Sequence, residues 1–434
     1  MFRTLINSFK DKEIRKKLLL TFGLLFLFIL GTWIPVPGID SSVFESSTGG
    51  NTLLSLLSSV SGGALSNGAI LALGVTPYIT ASIIMQLLTI AIPSLERMAK
   101  EGEEGRKKFN KIIRYVSLIL AVAQAVGIVL AFNTSGTAIN TILFDSLTLS
   151  SIFVILMLVA GAMFTVFLGE KITELGVGNG LSLLIFIGIL SSASVALLSS
   201  VTDIFSSAAN LDSLWNLLIF LGAVVIIFAL IIFIDLAKRK IPVTYAKQVR
   251  GRKMMGGQST ELALKVHNGG VMPIIFASAL VTFPHMLISM FWNNTPFANW
   301  FYTYLGVGSW VYSIALALFI LFFTFFYNQY VFKPEDVARR IQEGGGMVGT
   351  FRPGRPTVEY LTKVNNRLLI FGAIFLAFVA LIPTIIFTAI NGGSGVLVNA
   401  FTATGMLIIV SVALEFNKGL DDQMIVRNYK GFLK

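Results

Sequence analysis

The sequence predicts an all-α polytopic membrane protein with ten transmembrane helices, on three observations. Of its 434 residues, 55% are hydrophobic and only 13% are charged, against about 25% charged in an ordinary soluble domain. Ten apolar runs have the length of a span, which takes ~20 residues of helix. Lysine and arginine cluster at one set of ends of those runs and are absent from the other, as the positive-inside rule requires.

In chain order, the N-terminus MFRTLINSFKDKEIRKK is basic and amphipathic, and an apolar run follows it. No small-residue cleavage site follows an apolar region of signal-peptide length, so Leu18–Ile34 is expected to stay as the first span. The runs cover roughly 18–36, 69–92, 112–132, 151–169, 180–200, 214–235, 270–292, 309–331, 368–390 and 396–416. Only the tight turn GEKITELGVGNG separates the fourth from the fifth. The seventh is the least uniform, with Pro273, Pro284, His285 and several Ser and Thr. That suits a marginal span, or one that packs on a polar partner and moves.

All 33 Lys and Arg lie at the N-terminus, in residues 93–114, at Lys171, in 236–268, in 333–367 or in the C-terminal tail. The alternate loops hold none, but do hold Asp40, Glu45, Asp145, Asp203 and Asp212. A missed or invented span would move the later clusters to the other side. Both termini are therefore expected in the cytoplasm. The spans divide into five and five about the loop 201–213, giving halves 1–200 and 214–434 with an outer hinge between them. Because five is odd, repeated halves would have to be inverted, a common transporter plan.

The stretch Leu53–Leu88 organises the rest. Leu53–Val60 is apolar but too short to cross, serines interrupt it, and Ser61-Gly62-Gly63 ends it. Ile70–Ile92 is long enough to span. Non-helical backbone at membrane depth occurs only where protein or a water-filled cavity satisfies it, so a broken helix marks a pathway. The alternative is a short interfacial helix in an outer loop.

Two basic loops, 236–268 and 333–367, each exceed 30 residues. Loops beyond about 15 residues are usually functional or disordered. They suit a docking surface for a large acidic or RNA-bearing partner, or orientation alone, with contact to anionic lipid.

Enzyme chemistry is missing. There is no cysteine, no phosphate-binding G-x-x-x-x-G-K-[ST] loop and no H-E-x-x-H. His267 and His285 are isolated and read as structural. No charged residue sits at the middle of a span; Asp235 and Glu415 lie at helix ends. Ion-coupled carriers place ionisable groups at membrane depth, so an external motor is expected. Neither a metal nor a cofactor is expected.

The stretches IPVPGID (34–40), SGGALSNGAILALGVTPYITASIIMQLL (61–88), LGEKITELGVGNG (168–180), QSTELALKVHNGGVMPIIFAS (258–278) and FRPGRPT (351–357) resemble the SecY family of bacterial protein-conducting channels over nearly the whole chain. The resemblance implies a clamshell of two inverted five-helix halves around a central pore in the bacterial cytoplasmic membrane. It implies a plug near 53–65, at Leu53, Leu54, Leu56, Leu57, Val60, Gly62 and Gly63. Motif position puts the pore ring on Val75, Ile79, Leu181, Ile185, Ile275 and Ile408. Family rings are often all isoleucine, so Val75 and Leu181 depart from the pattern. Val75/Ile79 and Leu181/Ile185 are also i,i+4 pairs, each on one helix face, and bulky aliphatics at a constriction dewet it.

A lateral gate would lie between spans two and three and spans seven and eight, with Thr80, Gln86, Gln124 and Ser278 at its polar positions. Arg352, with Arg250, Arg252 and Lys253, would dock partners. The implied partners are SecE and SecG subunits, the SecA ATPase, ribosomes, signal sequences and nascent chains. Two other classes stay open. A secondary carrier or flippase would need a coupling ion and buried charge. A pore-free scaffold would make plug and ring dispensable.

Overall fold

The structure is a computed structural model that describes residues 9–39, 58, 61–135, 147–206, 211–245, 248–250, 253–255, 259–266, 272–291, 295–306, 309–391 and 401–431. Long runs of Leu, Ile, Phe and Val with polar ends form its helices, since a buried or lipid-facing backbone must satisfy its own hydrogen bonds. The helices are α1 (Lys12–Trp33), α2 (Thr76–Ala91), α3 (Pro93–Lys100), α4 (Glu103–Ser135), α5 (Leu147–Leu175), α6 (Gly180–Ser206) and α7 (Leu211–Asp235). After them come α8 (Met272–Phe291), α9 (Pro296–Leu305), α10 (Trp310–Val331), α11 (Pro334–Glu343), α12 (Arg355–Asn391) and α13 (Ala403–Gly431). Each of the ten expected runs carries a helix. Among the described residues, six helices (α4, α5, α6, α7, α10 and α12) are long and apolar enough to cross a membrane.

The expected helix 70–92 is shorter than the apolar run. Residues 61–75 are turns, and α2 starts only at Thr76. Gly62, Gly63, Gly68 and Gly74 all take positive φ there, a region closed to most L-residues, and Pro77 sits in the first turn of α2. At 1.5 Å per residue the 16 residues of α2 span about 24 Å, less than the ~30 Å hydrocarbon core.

Other boundaries also move. α5 continues through GEKITEL to Leu175, leaving only 176–179 as the turn. The loop 201–213 is partly helix, because α6 runs to Ser206 and α7 starts at Leu211. α12 begins 13 residues before its apolar run.

The all-α expectation needs one correction. The two basic loops contain strands β1 (Lys238–Tyr245), β2 (Gln248–Arg250), β3 (Lys253–Met255), β4 (Ser259–Lys265) and β5 (Gly346–Val348). They form a three-stranded sheet in the order β4-β1-β5 and a separate β2-β3 pair. β1 is antiparallel to both neighbours, pairing Ile241 with Leu262 and Val243 with Val348. The inward face carries Ile241, Val243, Leu264 and Val348, packed against Ala338 and Ile341 of α11 and Leu361 of α12. Two loops about 100 residues apart are thus one folded unit.

α1, α2, α4, α5 and α6 pack together, as do α7, α8, α10, α12 and α13. The groups meet where α6 packs on α13 and where α8 packs on α2 and α4.

Candidate functional site

The segment 61–75 lies inside the first group of helices. It has no regular ladder, so its backbone is satisfied by short-range turns: Gly68 N donates to Leu65 O (3.1 Å), Ala69 N to Ala64 O (2.8 Å) and Gly74 N to Leu71 O (2.9 Å). Two bonds of longer sequence range tie it to the chain just after α1, from Val36 N to Gly68 O (2.9 Å) and from Ile70 N to Ile34 O (3.0 Å). Glycines give it room. A Cβ on Gly62 would lie 3.2 Å from Gly188 Cα of α6, and one on Gly161 of α5 would collide with the Ile70 carbonyl oxygen.

A serine knot closes the N-terminal end of the segment. Ser58 Oγ and Ser66 Oγ are 2.8 Å apart, Ser66 Oγ donates to Gly63 O (2.9 Å), and Gly63 N donates to Ser58 O (2.8 Å). Ser58 and Ser61 are buried. In the sequence alone Ser58 reads as an interruption of an apolar run and Ser61 as part of its end. Of the plug positions, Gly62 and Gly63 lie in these turns; Leu53, Leu54, Leu56, Leu57 and Val60 lie outside the described residues.

All six ring positions fall in one apolar cluster. Val75, Ile185 and Ile408 are buried in it, and Ile79, Leu181 and Ile275 pack against it. They come from the end of the turn segment and from α2, α6, α8 and α13, and so from both helix groups. Leu25 and Phe28 of α1 and Leu168 and Ile172 of α5 belong to the same cluster; Leu168 and Ile172 fall in the motif LGEKITELGVGNG, and none of the four is among the expected ring positions.

The four gate positions lie on α2, α4 and α8, which pack on one another. Three of them bond within their own helices. Thr80 Oγ1 donates to Thr76 O (3.0 Å), Gln86 Nε2 to Ser82 Oγ (3.2 Å) and Ser278 Oγ to Ile275 O (3.0 Å). Gln124 is buried on α4.

Of the docking candidates, Arg250 and Lys253 lie in the β2-β3 pair and Arg352 in the turn after β5. Arg250 pairs with Lys253 in the β2-β3 hairpin, and Arg252 lies outside the described residues, as does His267. Arg352 is exposed in a turn made rigid on both sides. Phe351 bridges to Val348 before it. Gly354 (φ 103°) turns the chain after it, and Thr357 Oγ1 donates to Arg352 O (2.8 Å). The Phe351 ring stacks on Tyr360 of α12 at 4.4 Å. Across the sheet, Lys240 of β1 reaches Glu261 of β4 at 2.8 Å. The hydrogen bond to that carboxylate, and its charge, raise the Lys240 ammonium above its ordinary value.

A family profile described as SecY matches residues 69–417. The protein translocase subunit SecY of Streptomyces scabiei is 38% identical over 448 residues, covering 100% of both chains. A solved SecY structure described for a plug domain that stabilises the closed channel superposes with a TM-score of 0.66 at 20% identity, over 94% of this chain and 92% of the other. Sec61 from a canine ribosome–channel complex superposes with a TM-score of 0.61 at 20% identity, over the same shares. At such identity the solved structures share the fold, and the full-length relatives carry the family. They set aside the carrier and the pore-free scaffold. The chain belongs to the SecY family and is a protein-conducting channel rather than an enzyme.

Proposed function

We propose that unfolded secretory chains cross the bacterial cytoplasmic membrane through the Val75, Ile79, Leu181, Ile185, Ile275 and Ile408 ring. Ten spans form two inverted halves, 1–200 and 214–434, hinged at 201–213, with both termini cytoplasmic. The segment around 53–65 is the plug, and its departure opens the ring. The observation that carries this is the meeting of six aliphatics, from four helices and the end of the glycine-bent segment, in one cluster. A collar of Val, Leu and Ile dewets and blocks ions, yet yields to a passing chain.

Transmembrane segments leave sideways between α2/α4 and α8/α10. The seam opens readily because Thr80, Gln86 and Ser278 are bonded within their own helices. The β unit is the docking surface for ribosomes and for the SecA ATPase, with Arg352 as its rigid guanidinium. A SecE subunit clamps the halves, and SecG lies at the periphery.

The chain has no cysteine, which makes crosslinking direct. One cysteine replaces Ile79 and another sits mid-way along a stalled secretory substrate. The expected result is a crosslink that requires SecA and ATP. Labelling confined to the β unit, with none at position 79, would overturn the pathway.

A further inference from the structure

Helix α9 has no part in the pathway. Thr295 Oγ1 caps it by accepting from Ala298 N (3.2 Å), with Pro296 in its first turn. At about 100° per residue, its side chains sort into three sectors rather than the usual two. One faces protein: Ala298 is buried, the Phe301 ring meets the His285 ring at 4.8 Å, and the Leu305 carbonyl oxygen lies 2.6 Å from His285 Nε2. His285 is itself buried on α8, against Tyr312 of α10 at 5.6 Å. A second sector is polar and exposed: Asn299 and Thr303, with Thr303 Oγ1 donating to Asn299 O (2.7 Å). The third is a row of aromatics, Phe297, Trp300 and Tyr304, which are 52%, 53% and 55% exposed. They pack on one another, at 6.2 Å and 5.7 Å between centroids.

A helix on a water-washed surface needs a protein face and a polar face. A separate row of exposed aromatics is what a helix shows where protein, water and lipid meet. The neighbouring surface agrees. Trp310, the first residue of α10, is 73% exposed, and Ile314, Leu318 and Phe322 continue an exposed apolar line along that helix. No Lys, Arg, Asp or Glu occurs between Phe291 and Val331. Attraction to anionic headgroups is therefore absent. What remains is an uncharged boundary, where indole N–H and phenol O–H meet ester and headgroup oxygens while the rings rest on acyl carbons.

We propose that α9 is a lipid anchor lying in the membrane interface, with Phe297, Trp300 and Tyr304 seated at the headgroup–acyl boundary. Through Phe301 and Leu305 it grips His285, and so fixes the end of α8 relative to the lipid surface.

The test uses the full channel complex in phosphatidylcholine vesicles, with Trp33, Trp215, Trp292 and Trp310 replaced by Phe so that Trp300 is this chain's only tryptophan; the same complex carrying Trp300→Phe as well supplies the background to subtract. Expected is quenching by brominated lipids, stronger with bromine near the headgroup than deep in the chain. Aqueous iodide should quench weakly, and added anionic lipid should change nothing. Iodide quenching without bromine quenching would put the row in water and overturn the anchor. Protection from both would overturn it too, by placing a protein over the row. Should the four-fold variant not assemble, Tyr304→Cys in the otherwise native chain takes a spin label. Oxygen should then collide with it more often than a water-soluble nickel chelate does, and the reverse would overturn the proposal.

Discussion

Residues 61–75 and the sheet β4-β1-β5 both interrupt a helical chain, and they are built for different work. The first is buried, carries no charge and has no ladder; local turns, four positive-φ glycines and small-residue contacts keep it seated. The second is a registered sheet over an apolar face, with Lys238 and Lys240 exposed on its other side. A segment held by separate weak bonds can leave its seat piecewise, whereas a paired sheet moves as one body. The contrast suits a closure that is displaced in one place and a surface that receives force in the other. β1 follows α7 directly, and β5 leads through the Arg352 turn into α12, so a push on the sheet reaches the helices of the second group.

The largest break in this comparison is Gly161→Leu. A side chain there meets the Ile70 carbonyl oxygen, and overpacking of this kind costs about 3 kcal/mol. Thermal melting of the purified complex should drop, and vesicles holding it should leak ions. Arg352→Glu comes next. Reversing an exposed charge at a docking site should lower SecA-driven transport at least about tenfold, with melting unchanged. Unchanged transport would remove Arg352 from the docking surface. A smaller effect is expected for Ser66→Ala, which removes the Ser58–Ser66 and Ser66–Gly63 bonds. A net contribution of about 1 kcal/mol predicts a modest rise in resting ion leak and no loss of docking. The smallest is Lys240→Ala, whose partner Glu261 is, like Lys240, mostly exposed; exposed pairs contribute little, so melting and transport should both stay as they are.

Much of the fold was legible in apolar run length and in charge placement, because lipid imposes both. What hid was set by backbone detail. The start of α2 was signalled by Gly74 and Pro77, yet hydrophobicity alone carried the run back to residue 69. The strands were missed because charge dominates KRKIPVTY and STELALK. Alternation at Ile241/Val243 and Leu262/Leu264 was the signal that could have found them. The six ring residues could not be told from lipid-facing aliphatics by spacing. Only the family resemblance singles them out, whereas Leu25 and Phe28 of the same cluster carry no motif. The aromatic row of α9 is readable as Phe297, Trp300 and Tyr304 at helical spacing behind a Thr-Pro start, but run length and charge placement alone class 293–308 as an outer loop.

The central claim is that the turn segment must leave its seat for a chain to pass. Pro35, after α1, and Ala69 of the turn segment face each other in an antiparallel bridge, a pairing whose Cα atoms lie about 4.5–5.5 Å apart and so within disulfide range, and no native cysteine competes. In the Pro35→Cys/Ala69→Cys variant, substrate transit would be measured oxidised and then reduced. The account predicts that oxidation stops transit while the membrane stays sealed, and that reduction restores it. Equal transit in both states would contradict it.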